Sequence, residues 1–218
     1  MTLFLDSADR AELEPLLATG LFGGVTTNPL LLARAGLTVA DVPALHDWLV
    51  AAGARTVFAQ TLGTHVDEIV ADARRLRGLG DRVVVKIPAT RAGLSATRRL
   101  ADEGVPLLVT AVHHAAQALL AAAAGARYVA PYLGRMTAAG RDGPAHVVAM
   151  QQILTGTGTK VLAASVKSVD DLAQLAAGGI PMFTVGADLA AALLDDELTD
   201  SASAEFERVA SGRATHRG

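Results

Sequence analysis

The chain has 218 residues, 51% hydrophobic and only 4% aromatic, with a net charge of −3, which is enough aliphatic chain to bury the core of one globular domain. No basic run offers a footprint for nucleic acid, and the absence of cysteine removes disulfides, Fe–S clusters, thiolate zinc sites and cysteine nucleophiles. Of the 19 basic residues only three are Lys, at 86, 160 and 167, so the position of each calls for a reason.

The longest apolar stretch, near 118–124, is too short to span a bilayer. The opening MTLFLDSADR has no basic segment ahead of an apolar one, and Asp6 interrupts it. The expectation is a cytoplasmic protein with no membrane partner and no nucleic-acid partner.

In chain order, β-like runs fall at 2–5, 24–27, 56–61, 82–88, 106–111, 127–132, 160–165 and 182–185. Runs such as VVVKI and VLAAS are apolar on both faces, as parallel strands covered by helices are. Helix starts are read at Ser7 before ADRAELEPLLA, at Thr64 before an Ile/Val/Leu face and at Ser168 before LAQLAAG, where a hydroxyl can cap the first backbone N–H groups. Glycines 20, 53, 80, 104, 125 and 178 fall where helices should stop.

Eight strand–helix alternations in one short chain predict an α/β fold, a single (β/α)8 TIM barrel over 1–218. A doubly wound open sheet is the alternative. It would have fewer strands and a glycine-rich phosphate loop after the first, where this chain has LDSADR. The segment 199–211 reads as an extra C-terminal helix protruding from the barrel and suited to subunit contact, and the last residues, ATHRG, are expected to fray.

In such a barrel the loops after the strands build the site. The polar residues there are Asp6, Thr26, Asn28, Gln60, Lys86, Thr110, Tyr132, Arg135, Ser165 and Lys167. Lys86 is the sharpest signal, because it sits among β-branched residues within a strand. Desolvation depresses a buried lysine's pKa and leaves a neutral amine able to attack a carbonyl, which Arg cannot do. A strand-end lysine snorkelling to solvent or pairing with a carboxylate is the other role open to it.

Each of the rest also has two roles open. Asp6 either caps a helix or supports proton transfer; Thr26-Thr27-Asn28-Pro29 forms a strand-to-turn boundary or part of a site. Tyr132 is either a buried ring with a satisfied hydroxyl or a general acid/base, whereas Tyr128 reads as core. Ser165, Lys167 and Arg135 follow strands seven and six, where barrels often bind phosphate, and a solvated surface pair is the plainer reading of the two cations. His113-His114 invites a metal reading, but no carboxylate stands at ligand spacing and no metal site is expected. Gly156-Thr-Gly-Thr-Lys160 lacks the phosphate-loop pattern and precedes a strand.

Seven segments in this order, LFLDSAD, GVTTNP, FAQTLG, VVVKIPAT, PLLVTAV, GARYVAPYLGR and KVLAASVKS, resemble the transaldolase family, and within it the short branch of fructose-6-phosphate aldolases. The resemblance implies a barrel enzyme with a Schiff-base lysine on strand four, at Lys86, and neither metal nor organic cofactor. It further implies reversible cleavage of fructose 6-phosphate to dihydroxyacetone and glyceraldehyde 3-phosphate. Transaldolases resembling this chain have Glu at the position of Gln60 and Phe at that of Tyr132; the aldolase branch has Gln and Tyr, as here. By the same resemblance Tyr132 exchanges the proton of the C4 hydroxyl, and Gln60 and Thr110 hold the assisting water. Asp6, Asn28 and Ser165 would orient the dihydroxyacetone hydroxyls and support proton transfers, Thr26 is a further substrate-binding candidate, and Arg135 and Lys167 would bind the phosphate. Gly134, where the aldolase pattern has Asn, looks more like the transaldolases, and a transaldolase is the alternative function. His113-His114 replaces a Tyr-Gly pair. The family assembles as pentamers stacked into decamers with the C-terminal helix reaching a neighbour, so a homo-oligomer is expected.

Overall fold

Parallel strands β1 (Thr2–Asp6), β2 (Phe22–Thr26), β3 (Thr56–Gln60), β4 (Val83–Pro88), β5 (Leu107–Val112), β6 (Tyr128–Pro131), β7 (Lys160–Ala163) and β8 (Met182–Val185) pair in sequence order, and β8 closes on β1. The computed structural model describes residues 1–211, so the expected fraying of ATHRG lies outside the described residues. The outer layer comprises α1 (Arg10–Ala18), α2 (Pro29–Arg34), α3 (Val42–Ala51), α4 (Val66–Arg77), α5 (Arg91–Asp102), α6 (Gln117–Ala123), α7 (Leu133–Ala138), α8 (Gly143–Ile153), α9 (Val169–Ala177) and α10 (Ala187–Leu194). A C-terminal helix, α11 (Glu197–Ala210), follows, and it buries none of its residues. The molecule is a (β/α)8 TIM barrel with an additional C-terminal helix.

Two apolar cores explain why the strands are hydrophobic on both faces. Outward-facing residues such as Leu5, Val25, Val57, Val85, Val109 and Val161 pack against the helices. Inward-facing Phe4, Phe58, Val84, Leu108, Tyr128 and Leu162 fill the barrel itself. The Phe58 ring meets Phe4 at 5.1 Å and Tyr128 at 5.7 Å, both edge to face, so aromatic side chains close the barrel beneath the site. Because strand side chains alternate, one step further along β1, β4 and β5 the inward positions are Asp6, Lys86 and Thr110.

The strand β2 begins two residues earlier than its sequence pattern indicates. Glycines at 23 and 24 hide its start, and they are needed there: a Cβ on Gly24 would stand 1.9 Å from the carbonyl oxygen of Thr56 on β3. Two expected caps are also corrected. The α1 cap is Asp9, whose carboxylate accepts from Ala11 N, because the Ser7 hydroxyl is occupied by Glu12 and by Asp9 N. Ahead of α4 the cap position is His65 and not Thr64: the Glu68 carboxylate reaches back to accept from the N–H groups of both, and the Thr64 hydroxyl is turned to that same carboxylate. Ser168 caps α9 as expected.

Candidate active site

A cavity of about 370 Å³ opens at the carboxyl ends of the strands and is lined by Asp6, Thr26, Asn28, Lys86, Thr110, Tyr132, Arg135, Ser165 and Lys167. Those are all the site residues expected from sequence except Gln60. Gln60 pairs in register with Lys86 on the neighbouring strand, yet it lines a separate small cavity together with Thr27 and Asn28.

Lys86 is 5% exposed, and its Nζ donates to the carbonyl oxygen of Thr27 at 2.7 Å. That carbonyl is free of strand pairing for a local reason. Pro29 holds Asn28 extended, at φ −157° and ψ 168°, so the chain turns away after Thr27. Burial pushes the Lys86 ammonium below its ordinary range, and the Asp6 carboxylate opposes this. The snorkelling alternative is thereby excluded, since the amine ends inside the cavity.

Asp6 is not a helix cap. Its Oδ1 accepts from the Thr26 hydroxyl at 2.6 Å, and Thr26 Oγ1 is also 2.6 Å from Thr184 Oγ1. The sequence reading missed Thr184, which is buried and lines the cavity. Its signal was the one polar residue in MFTV, at the end of the only strand to which no site residue had been assigned. Asn28 has a double position: its Oδ1 caps α2 by accepting from Leu30 N and Leu31 N, while the residue lines the cavity.

On the opposite wall, the Thr110 hydroxyl donates to Tyr132 Oη at 3.1 Å. The pairing of β5 with β6 shifts between Val109 and Val112, and Ala111 takes a left-handed φ of 55°. Such an irregularity at a barrel rim re-aims the residue beside it, here Thr110. Ser165, at φ 59°, is the other non-glycine residue in this conformation among the described residues, and it too lies at the mouth.

Three cations, Arg34, Arg135 and Lys167, line the cavity, and none forms a salt bridge among the described residues. Arg34, at the end of α2, was not anticipated. The Arg135 guanidinium lies 5.1 Å from the centre of the Tyr132 ring. A Cβ on Gly134 would be 2.7 Å from Ser165 O and 3.0 Å from Lys167 Cε, so glycine here makes room for the lysine stem. His113 and His114 part company: the first ring meets Tyr132 and the second meets His146. Among the described residues no group of three or more His, Asp or Glu is placed to hold a metal ion, and no helix is long and apolar enough to cross a membrane.

Fold and site together define a (β/α)8-barrel protein whose buried lysine amine faces an open cavity with hydroxyls on two sides and cations at the rim. A family model described as transaldolase/fructose-6-phosphate aldolase matches residues 3–216. The probable transaldolase of Phenylobacterium zucineum strain HLK1 is 39% identical over 208 residues, covering 94% of each chain. The chain belongs to the transaldolase/fructose-6-phosphate aldolase family, a family of enzymes.

Proposed function

We propose that this protein is a class I aldolase that reversibly cleaves fructose 6-phosphate to dihydroxyacetone and glyceraldehyde 3-phosphate, with Lys86 as the Schiff-base nucleophile. The observation carrying this reading is the Tyr132 hydroxyl, hydrogen-bonded to Thr110 on the wall of the cavity that holds the Lys86 amine.

The neutral Lys86 amine attacks the C2 carbonyl, and loss of water gives an iminium. The C4 hydroxyl proton passes to the Tyr132 oxygen as the phenol hands its own proton to the water beside Thr110, which later returns it to C3 of the enamine, and the C3–C4 bond breaks. The C3–C4 electron pair moves into the iminium to form an enamine, and the aldehyde is released. Protonation of the enamine at C3 and hydrolysis by water then free dihydroxyacetone and the amine. Thr110 and Gln60 hold the water of these steps. Asp6, supported by Thr26, assists proton transfer, while Asn28 and Ser165 orient the dihydroxyacetone hydroxyls. Arg135 and Lys167 bind the phosphate. No cofactor takes part in this reading, the setting is the cytoplasm and the enzyme is a homo-oligomer, pentamer or decamer.

A transaldolase is the second reading, favoured by the name of the Phenylobacterium relative and by Gly134. In it the dihydroxyacetone unit stays on Lys86 until an acceptor aldose arrives. Fructose 6-phosphate turnover with and without erythrose 4-phosphate separates the two: free dihydroxyacetone without acceptor supports the aldolase, and strict acceptor dependence overturns it.

A further inference from the structure

We propose that His113 is a positioning residue that sets the Tyr132 phenol against the substrate; this rests on the acid/base reading of Tyr132 above. His113 follows directly on β5, and its half-buried ring meets the Tyr132 ring edge to face at 5.5 Å and 73°. It does not line the cavity, and the cavity residue its ring touches is Tyr132.

The backbone that carries the imidazole is held where it stands. The His113 backbone N–H donates to Gln117 Oε1 at 2.8 Å, and the Arg141 guanidinium donates to its carbonyl. The groups facing the ring are the Ala111 carbonyl, Tyr132, Arg135 and Arg141. Burial lowers its basicity, the Ala111 carbonyl opposes this, and the two guanidinium charges add to the lowering. Two guanidinium charges in the neighbourhood favour the neutral ring.

Tyr132 is otherwise weakly fixed at its working end. Among the described residues its hydroxyl has one hydrogen bond, from Thr110, and the Arg135 guanidinium at 5.1 Å belongs to a side chain that phosphate will draw upon. A phenol is placed by two side-chain torsions, and beyond the packing of the Tyr132 ring on the inner barrel core the contact with His113 sets where Oη stands. Displacement of a reacting group by about 1 Å costs about 100-fold in rate.

The test uses the full-length protein with fructose 6-phosphate and erythrose 4-phosphate both present, so either acceptor habit gives turnover. His113→Ala is expected to lower kcat about 10- to 100-fold, leave KM within about twofold and leave the rate of borohydride-trapped dihydroxyacetone adduct at Lys86 unchanged. His113→Phe, which restores an aromatic edge, should recover most of kcat. In a Tyr132→Phe background, His113→Ala should add no further loss. Wild-type kcat in His113→Ala, loss of adduct formation in step with kcat, no recovery in His113→Phe or an additive loss in the double variant each overturns the proposal. Full turnover in Tyr132→Phe alone overturns the acid/base reading itself, a result independent of the His113 variants.

Discussion

The Lys86 side-chain nitrogen reaches past β3 to the carbonyl oxygen of Thr27, 2.7 Å away. A carbonyl accepts from an ammonium and from a neutral amine alike, so the amine can lose a proton, keep this bond and turn its lone pair to the cavity. Lys86→Arg preserves a donor but not a deprotonatable nitrogen. Turnover should fall by at least about 1,000-fold, with no borohydride-trapped adduct in the peptide mass spectrum. An adduct elsewhere in the chain would remove Lys86 from its role.

The Asp6 carboxylate works against burial at Lys86, holding the ammonium up while burial pushes it down. Asp6→Asn removes the opposing charge, so the Lys86 pKa falls further and the amine is neutral at a lower pH. The acid limb of the adduct-formation rate should therefore move to lower pH. A limb that stays in place or moves upward contradicts this coupling.

Thr184 completes a hydroxyl relay, standing 2.6 Å from Thr26, which in turn holds Asp6. Thr184→Val keeps the shape and removes the partner, at a cost of about 1 kcal/mol or more at a buried group. Turnover should drop about tenfold, and Thr184→Ser should restore it. Equal activity in the two variants would leave Thr184 as packing alone.

Arg135 and Lys167 line the cavity without carboxylate partners among the described residues. Loss of either should raise KM for the sugar phosphate about 10- to 100-fold, as for a hydrogen bond to a charged group. Adduct formation with dihydroxyacetone, which has no phosphate, should be unaffected. A parallel loss with dihydroxyacetone would place these cations in another role.

Gly24→Ala tests the closure between β2 and β3, where a Cβ would lie 1.9 Å from Thr56 O. Backbone cannot yield as a side chain can, so a loss of about 3 kcal/mol and a fall of about 6–12 °C in Tm are expected by thermal denaturation. An unchanged Tm would mean that the two strands separate freely here.

Much of this was legible in one dimension because each barrel strand is a short run apolar on both faces that ends in its own loop. The alternation of such runs with helical segments exposed the eight strands, and the polar residue at each strand end exposed Asp6, Lys86, Thr110 and Tyr132. Lys86 was the plainest of these, since a lysine among valines is chemically conspicuous. Caps were less legible: Ser7 and Asp9 both offer an acceptor within two residues, and the choice depended on where Glu12 fell.

What sequence by itself determined is the (β/α)8 architecture and the chemical inventory of the mouth, because both follow from local alternation and residue type. Tertiary structure alone decided who meets whom. Thr26 and Thr184, 158 residues apart, became neighbours only when β8 closed beside β1. Gln60 came to line a cavity apart from the one that holds Lys86, and His113 settled against Tyr132 instead of beside His114. Those choices depend on barrel closure, on the irregular pairing at Ala111 and on side-chain torsions, none of which leaves a periodic mark along the chain.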